Sequence, residues 1–473
     1  MSTFSGLNRA TTALWAQQRG LDVTGQNIAN INTVGYSRQR AELQSVNGNA
    51  VPAMYAVSNQ VGQGVDADTV IRIRDAFLEG RAQSEAASSA QMTVRSESLA
   101  QVEQAFREPG TTGISAKITS VYTSWSELAS STQEDGARAA VLQNTATLVA
   151  ELHTTSATLG EQWTQTRDSL DVLADDVNSK VQSIADLNAS IKRANQAGLP
   201  VNELSDKRDV LVMDLAQAIG ATSTPGDDGQ VNLVVSGATL VSGDKATLIR
   251  AVGTNDPATV TATDPRFETS PGGTRVAVGG TAGGKITALT DTIPRYSKQL
   301  DAVARQVADE INAAHTLGFD KTGAPGGQVF DNGGSGVGTP ITAANINLLI
   351  TDTSKLAAAS VAPVVGAGAS ADNGNATALG KLQDKAGGSA SLYRKLIVTL
   401  GVEGSVATSN LETQTVIASQ VDASRESVSG VNLDEEMTNM LQFQHAYSAA
   451  ARMITAIDET LDKLINGTGR VGL

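Results

Sequence analysis

Apolar residues recur every seven residues near both ends of the chain, and this repeat predicts a long helix at each end. Near the N-terminus the residues of the repeat are Leu7, Leu14, Leu21 and Ile28, and Ala10 and Ile31 lie three positions after two of them. Near the C-terminus the repeat and the residues three positions after its members are Leu433, Met440, Phe443, Tyr447, Ile454, Ile457, Leu461 and Leu464. Such a narrow strip is typical of coiled-coil helices. We therefore predict that residues 1–40 and 430–473 form terminal helices that pair as a coiled coil.

The charges of the two ends favour the same pairing. Residues 1–40 carry four arginines and one aspartate, whereas residues 430–473 carry six acidic and three basic residues. Oppositely charged helices attract each other, although each exposed ion pair contributes only about 0.2–1 kcal/mol. The alternative is that the two ends are unrelated surface helices, each docked separately on a core.

Between the ends, the pattern predicts a mainly helical protein with one inserted region of strands. Helical spacing extends from about 76 to 219, with breaks at Pro109-Gly110 and at 198–200. Short alternating runs separated by turn residues follow, and the last of them is Lys285–Leu289. Further helical segments are predicted at about 294–316, 378–386 and 388–400, and from 405 onward.

These segments give a domain prediction. We expect a central long-helix bundle domain and a small all-β outer domain inserted into it. The first part of the helical domain is 41–220, the β domain is 221–285, and the second part of the helical domain is 286–429 with a Gly-rich loop at 323–338.

The composition excludes several kinds of chemistry. The 473 residues include no cysteine and only three histidines, which are His153, His315 and His445. Disulfide scaffolds, thiolate zinc sites, iron–sulfur centres and cysteine nucleophiles are therefore excluded. No glycine-rich phosphate-binding motif is present. We predict no catalytic, cofactor-binding or metal-binding residues, and therefore no enzyme.

Charge and hydropathy limit the partners as well. The net charge of −14 has the wrong sign for a nucleic-acid-binding protein that relies on a basic field. No apolar run is long enough to span a bilayer, so we predict no membrane insertion. The acidic cluster Asp434–Glu436 is interpreted as the start of a helix, where negative charge favours the helix dipole.

One segment of the N-terminal region has an unusual composition. It runs from Asn27 to Tyr36 as NIANINTVGY. We interpret Asn27, Asn30, Asn32 and Gly35 as a helix stop, because Asn and Gly tolerate the left-handed conformation found at helix ends. Tyr36 then begins an extended piece.

Together with Leu21-Asp22-Val23 before it, this segment resembles the N-terminal signature of the flagellar axial proteins, which are the rod, hook and hook-associated subunits. The sequence SGVNLDEE at 429–436, followed by LQFQHAY at 441–447, resembles their C-terminal ending. In the middle of the chain, LSDKRDVL at 204–211 and GQVNL at 229–233 are similar to the hook-associated members.

This resemblance implies a structural subunit that is exported without a cleaved signal and lies outside the cell. It implies a ring of eleven copies that forms the first junction between hook and filament, with the terminal strips as the assembly interface. The implied partners are hook protein, a second junction protein (hook-associated protein 3) and an export chaperone on the C-terminal helix. The alternatives are another axial subunit such as hook protein, an adhesin-like surface protein with axial-type termini, or an enzyme domain inserted at 221–377.

Overall fold

The computed structural model describes residues 3–46, 62, 64–336, 338–362 and 371–467. Parts of the predicted domains therefore lie outside the described residues, namely 1–2, 47–61, 63, 337, 363–370 and 468–473.

The described chain is mostly helical. Its helices are α1 (Thr3–Ala29), α2 (Ala76–Phe106), α3 (Ile114–Ser130), α4 (Asp135–Gln196), α5 (Asn202–Ile219), α6 (Gly280–Thr287), α7 (Ile293–His315), α8 (Gly374–Gly380), α9 (Ser389–Ser429) and α10 (Leu433–Gly467). The predicted breaks at Pro109-Gly110 and at 198–200 are confirmed, because they separate α2 from α3 and α4 from α5. The fold class is therefore mainly α, as predicted.

The strands are short and pair antiparallel. They are β1 (Gln39–Ala41), β2 (Gln44–Ser45), β3 (Val65–Asp66), β4 (Val70–Arg72), β5 (Thr222–Pro225), β6 (Val231–Val235), β7 (Ala238–Ser242), β8 (Lys245–Ala246), β9 (Leu248–Val252), β10 (Arg266–Ser270), β11 (Arg275–Val276), β12 (Phe330–Asp331) and β13 (Asn347–Leu348). Strands β5 to β8 form a four-stranded sheet, and β9 to β11 form a three-stranded sheet in the order β11-β10-β9. Pairs β1–β4, β2–β3 and β12–β13 stand apart from these sheets.

The strand predicted at Lys285–Leu289 is wrong, because this segment lies in α6 and in a turn of π-helix after it. The cause is the close contact between α6 and α2. A Cβ atom added at Gly284 would lie 2.7 Å from the Cβ atom of Val94. The glycines of this segment allow the approach of two helices, which a pattern of apolar and polar residues does not reveal.

The break predicted between 400 and 405 is also wrong, because α9 is one continuous helix. Gly401 and Gly404 each lower helix propensity by about 1 kcal/mol relative to alanine. Packing outweighs this effect, since Glu403 between them binds α7. Its carboxylate accepts hydrogen bonds from Arg295 at 2.7 and 2.8 Å and from the hydroxyl of Tyr296 at 2.9 Å.

The hydrophobic core is one cluster that extends from the helices into the strands between 222 and 276. Helix α4 connects the two regions, since it contacts α3 and α7 as well as β7, β8 and β9. Two asparagines of α4 bind strand backbone: Asn178 pairs with both backbone groups of Ile249, and Asn188 does the same with Val231. The strand region therefore shares its core with the helical region.

Helices α1 and α10 lie side by side and antiparallel. A Cβ atom added at Gly6 would lie 3.5 Å from Ile457 Cδ1, and one added at Gly20 would lie 2.7 Å from the ring of Phe443. At the other end of α1, the amide of Asn27 reaches Glu436, as described below. The two predicted terminal helices are thus in contact along their length.

Candidate assembly interface

The structure places the predicted strip residues at or beside the contact between α1 and α10. Those that are half-buried are Leu7, Leu14, Leu21, Ile28, Met440, Phe443, Ile454, Ile457 and Leu461. Those that are exposed are Ile31, Leu433, Tyr447 and Leu464. The α1 residues that are buried have mostly small or polar side chains: Ala10, Ala16, Gly20, Val23, Thr24 and Asn27. The predicted strip includes Ala10 but none of the other five.

The size of the α10 side chains explains why the small residues of α1 are buried and its leucines are not. The ring of Phe443 lies over Gly20, where no larger residue fits without a shift of the ring. Small residues at the centre of α1 and large residues on α10 therefore fit together. The leucines of α1 flank this contact and remain partly accessible.

A buried asparagine connects α1 to the segments at its C-terminal end. Asn27 Nδ2 donates to the backbone oxygen of Gln39 at 2.9 Å and to Oε2 of Glu436 at 3.0 Å. Its Oδ1 accepts from the Tyr36 hydroxyl at 2.8 Å and from the Gln39 backbone N–H at 2.9 Å. All four bonds hold Asn27 between the extended segment after α1 and the first turn of α10.

Glu436 completes this arrangement with an ion pair. It is 2% exposed, and its Oε1 lies 2.7 Å from Nε of Arg38, while Nη1 of Arg38 lies 2.7 Å from Glu435. The acidic cluster does start a helix, and Asn432 caps it by accepting from the Asp434 N–H at 2.9 Å. However, Glu436 has a specific partner, which the helix-dipole interpretation did not include.

A second group of charges joins this region to α5. The Ser37 N–H donates to Asp206 at 3.3 Å, and Arg72 Nη1 binds Asp206 at 2.9 Å and Asp209 at 2.8 Å. Asp209 also pairs with Arg74. We call Asn27, Tyr36, Arg38, Asp206 and Glu436 the elbow cluster, because they fix the point where the α1–α10 pair meets the helical domain.

The polar contacts continue from α5 to the strands. Arg208 pairs with Asp209 at 3.2 Å and donates to the backbone oxygen of Gly229 at 2.8 Å. Asn188 lies 3.4 Å from Arg208 and binds Val231. The LSDKRD motif was noted only as a resemblance, so its part in these contacts was missed. The sequence signal was the Asp-Lys-Arg-Asp run, which places four charged residues in succession within a predicted helix.

Two residues of the family motif have conformational roles. Gly35 has φ +79°, and a Cβ atom there would lie 2.1 Å from Val210 Cγ2. Burial, followed by the negative charges of Asp206, Glu436 and Glu203, raises the pKa of Tyr36 to about 12. The Tyr36 hydroxyl therefore stays protonated and remains a donor to Asn27.

The predicted helix stop is confirmed, since α1 ends at Ala29. The reason given for its asparagines is wrong, because among the described non-glycine residues with positive φ there is no asparagine. Asn30 instead donates to the backbone oxygen of Gln26 at 2.9 Å and accepts from Thr33 at 3.1 Å. Asn32 is exposed.

The described residues include neither a metal-site cluster nor a membrane-spanning helix. In the ranges that the structure describes, no three His, Asp or Glu side chains gather as a metal site would require. Among the described helices, none combines the length and apolar composition needed to cross a bilayer.

The fold and the paired termini define a class of protein, and family models identify that class. The model described as flagella basal body rod protein matches residues 7–36, and the one described as flagellar basal body rod FlgEFG protein C-terminal matches 423–467. The model described as flagellar hook-associated protein FlgK helical domain matches 99–330. The two ends thus have the axial signature, and the middle has the hook-associated one. The chain is a flagellar axial protein.

Similar full-length proteins define the family more closely. The flagellar hook-associated protein 1 of Bacillus subtilis (strain 168) is 32% identical over 505 residues, which cover 99% of this chain and 99% of that protein. The one of Escherichia coli (strain K12) is 26% identical and covers 97% of this chain and 99% of its own length. The flagellar hook junction protein FlgK from Burkholderia pseudomallei has the same fold, with a TM-score of 0.63, 17% identity and coverage of 74% of this chain and 100% of that one.

The chain belongs to the flagellar hook-associated protein 1 family. It is accordingly a structural protein of the flagellum, where it associates with other flagellar components.

Proposed function

We propose that this chain forms the first ring of subunits between the flagellar hook and the filament. Its family membership makes it a structural component of the hook–filament junction. We propose in addition that the ring contains eleven copies, that α1 and α10 form a coiled coil on its inner side, and that the strand region lies outermost. Its role is mechanical, and no reaction is assigned to it.

The observation that carries this proposal is the elbow cluster. A junction subunit has to hold its inner helices at a fixed angle to its outer body. The ion pair of Arg38 with Glu436 and the hydrogen bonds of Asn27 join the two terminal helices at their shared end. Asp206 joins that end to α5. These contacts support a subunit whose parts move together under load.

The exposed surface of the α1–α10 pair supports assembly. Phe4 and Trp15 on α1 are 68% and 64% exposed, and Leu441 and Met453 on α10 are 53% and 55% exposed. A pair of helices with this much accessible apolar surface gains stability when neighbours cover it. The predicted strip residues would then line subunit contacts as well as the contact between α1 and α10.

The proposal includes the location and the partners. The subunit would be exported to the outside of the cell, with an export chaperone on the C-terminal helix beforehand. In the assembled flagellum it would contact hook protein on one side and a second junction protein (hook-associated protein 3) on the other. The acidic net charge and the apolar surface of α10 are compatible with a partner that covers this helix until assembly.

Immunogold electron microscopy of isolated flagella tests the proposal. Antibody against the strand region should label one narrow band at the boundary of hook and filament. Cells that lack the chain should have bare hooks and release filament subunits into the medium. Label along the whole hook would instead indicate a hook subunit, and label on the cell surface would indicate an adhesin-like protein. Either of these two results would contradict the proposal.

A further inference from the structure

A groove lies beside the elbow cluster. It has a volume of about 650 Å³, and its walls come from the end of α1, the segment after it, α4 and α5. Its apolar lining consists of Val34, Leu187, Val210 and Leu211. Val34 is 89% exposed, so the rim of the groove presents an apolar side chain to solvent.

A row of three apolar residues lies on the first half of α10. Leu433, Met437 and Leu441 are 47%, 46% and 53% exposed. Their spacing of four residues places them in one line along the helix surface. We call them the α10 ridge. Leu433 belonged to the predicted strip, but the ridge is exposed and lies to the side of the contact with α1.

The groove and the ridge lie at the same level of the molecule. Asn27 binds Glu436, so the end of α1 lies beside the start of α10. The groove includes Gln26 and Asn30, which are neighbours of Asn27 on α1. The ridge includes Met437, which follows Glu436.

They also lie on opposite sides of the helix pair. An α-helix turns by about 100° per residue. Gln26 precedes Asn27, which faces α10, and Met437 follows Glu436, which faces α1. Because α1 and α10 are antiparallel, the residue before Asn27 and the residue after Glu436 lie on opposite sides of the plane that contains both helix axes. One copy therefore presents its ridge on the side where the next copy presents its groove.

One pair of charges beside these surfaces is complementary. Lys207 lies on the groove and is exposed, and Asp434 lies beside the ridge and is exposed. Glu203 shares the rim of the groove with Lys207. A carboxylate from a neighbouring ridge would meet the ammonium group of Lys207.

We propose that the groove of each subunit holds the α10 ridge of a second copy of this chain. A contact between two different surfaces repeats head to tail, so it joins subunits into a ring when the rotation between neighbours closes. The proposal rests on the proposed function, which requires neighbouring copies, and it names the surfaces through which they meet.

Disulfide cross-linking tests this contact, because the chain contains no cysteine. The variant carries Val34→Cys and Met437→Cys, both at exposed positions. Within one subunit the two residues lie on opposite sides of the helix pair, so a bond can form only between copies, when their Cα atoms come within about 4.4–6.8 Å. Oxidation of flagella isolated from cells with this variant should give a ladder of covalent oligomers on a non-reducing gel.

The matched control replaces Met453 instead of Met437. Met453 is 55% exposed, compared with 46% for Met437, and lies on another flank of α10. The Val34→Cys/Met453→Cys variant should remain monomeric on the same gel. A monomeric Val34→Cys/Met437→Cys protein, in flagella where immunogold places it at the junction, would overturn the docking proposal and leave the proposed function intact. Label elsewhere in the flagellum would overturn the function, whichever bands the gel contains.

A charge exchange gives an independent test. Lys207→Glu alone and Asp434→Lys alone should each reduce the cross-linked fraction when they are combined with the two cysteines. The double exchange should restore it. Failure of the double exchange to restore the ladder would count against the pairing of these two residues and against this orientation of the ridge.

Discussion

Single residues with unusual surroundings determine how the terminal helices are held. Asn27 uses its amide oxygen and its amide nitrogen twice each, and Glu436 uses both carboxylate oxygens. Buried polar groups of this kind are costly when one partner is removed, because the remaining group keeps its desolvation penalty. The effect of a substitution should therefore depend on burial more than on charge.

Glu436 and Glu435 provide a matched comparison. Glu436→Ala removes one partner each from Asn27 and Arg38 in a buried site and should reduce the free energy of local opening by about 1–3 kcal/mol. Glu435 also binds Arg38, but its side chain is 58% exposed, so Glu435→Ala should cost about 0–1 kcal/mol. Hydrogen exchange of the amides in residues 30–39 measures both effects. Equal protection in the two variants would contradict this assignment.

Gly35 can be compared with another glycine in the same backbone region. Gly35 has φ +79° and no room for a Cβ atom beside Val210, whereas Gly198 has φ +69° with nothing within 4 Å. Gly198→Ala should lower the free energy of unfolding by about 1–2 kcal/mol, which is the cost of the left-handed conformation for a residue with a Cβ atom. Gly35→Ala should lower the free energy of unfolding further, because its Cβ atom would clash with Val210. A second change, Val210→Ala, should remove the clash and recover this additional loss. Urea unfolding gives these free energies.

His315 should make stability depend on pH. Its Nε2 accepts from the Ala357 N–H at 2.8 Å, so Nδ1 carries the proton and donates to Gly327 at 2.7 Å. Burial lowers the pKa of His315, while the hydrogen bond to Gly327 and the charge of Asp320 oppose that shift. The unfolded chain therefore binds a proton more readily than the folded one.

It follows that this contribution is fully present above the unfolded pKa of about 6.5 and is lost as the pH falls below it. Urea unfolding at pH 7.5 and 5.5 should give a lower free energy of unfolding at pH 5.5. His315→Gln should be less stable at pH 7.5 but have a smaller pH dependence. An unchanged slope in that variant would assign the effect to other groups.

At the scale of elements, the α1–α10 contact depends on which flank of α10 is changed. Ile454 is half-buried against α1, whereas Met453 is 55% exposed. Ile454→Asp places a charge in the contact between α1 and α10 and should lower the free energy of their pairing by about 1–3 kcal/mol. Cells with Ile454→Asp should have bare hooks and secrete filament subunits, and their purified protein should retain the melting transition of its helical domain.

Met453→Asp adds the same charge one residue earlier and leaves the contact with α1 in place. It should preserve the helical content of the pair in circular dichroism. If the two variants have the same helical content, the burial of Ile454 does not determine the pairing.

The sequence predicts those elements whose ends are marked by local signals. Pro109-Gly110 and the Gly198 turn are strong helix-ending signals, so the breaks between α2 and α3 and between α4 and α5 lie where they are expected. Alternation likewise predicts strands between 222 and 276. Contacts between distant elements have no local signal, and this explains why the continuity of α9 through Glu403 and the close packing of Gly284 were missed.

The residues of the candidate interface likewise fall into those that local sequence signals predict and those that they do not. The repeats identify α1 and α10 and their contact, and the motif identifies Asn27, Gly35 and Tyr36. The partners Glu436, Asp206 and Arg72 come from separate parts of the chain. Opposite charges are present at many positions, so composition alone does not determine which of them pair.

At the scale of the whole molecule, the helix pair is attached to the rest of the protein mainly at one end. Beyond the elbow cluster, α1 contacts β1 and β3, and the main contact of α10 among the described elements is α1. Two helices with a narrow apolar contact are only marginally stable in water. We therefore predict that residues 3–40 and 430–467, the described parts of the terminal segments 1–40 and 430–473, open frequently in the monomer and become stably paired when neighbouring subunits cover them.

Limited proteolysis of the monomer checks this prediction. Trypsin should cut rapidly after Arg9, Arg19, Arg452 and Lys463 and should leave a fragment of about 45–425. Assembled rings should resist cleavage at all four sites. Protection of these sites in a protein that ultracentrifugation establishes as monomeric would rule out mobile termini.

The bond between Asn27 and Glu436 joins residues that are 409 positions apart in sequence. Synthesis proceeds from the N-terminus, so α1 is made long before its partner exists. A chain that is cut short between α9 and α10 keeps every helix of the core but has no Glu436 and no surface to cover Gly20. Such a chain can still fold its helical body, but its first helix stays unpaired. The pairing of the two ends therefore requires a completely translated chain, because the helix that covers α1 is the last one to be made.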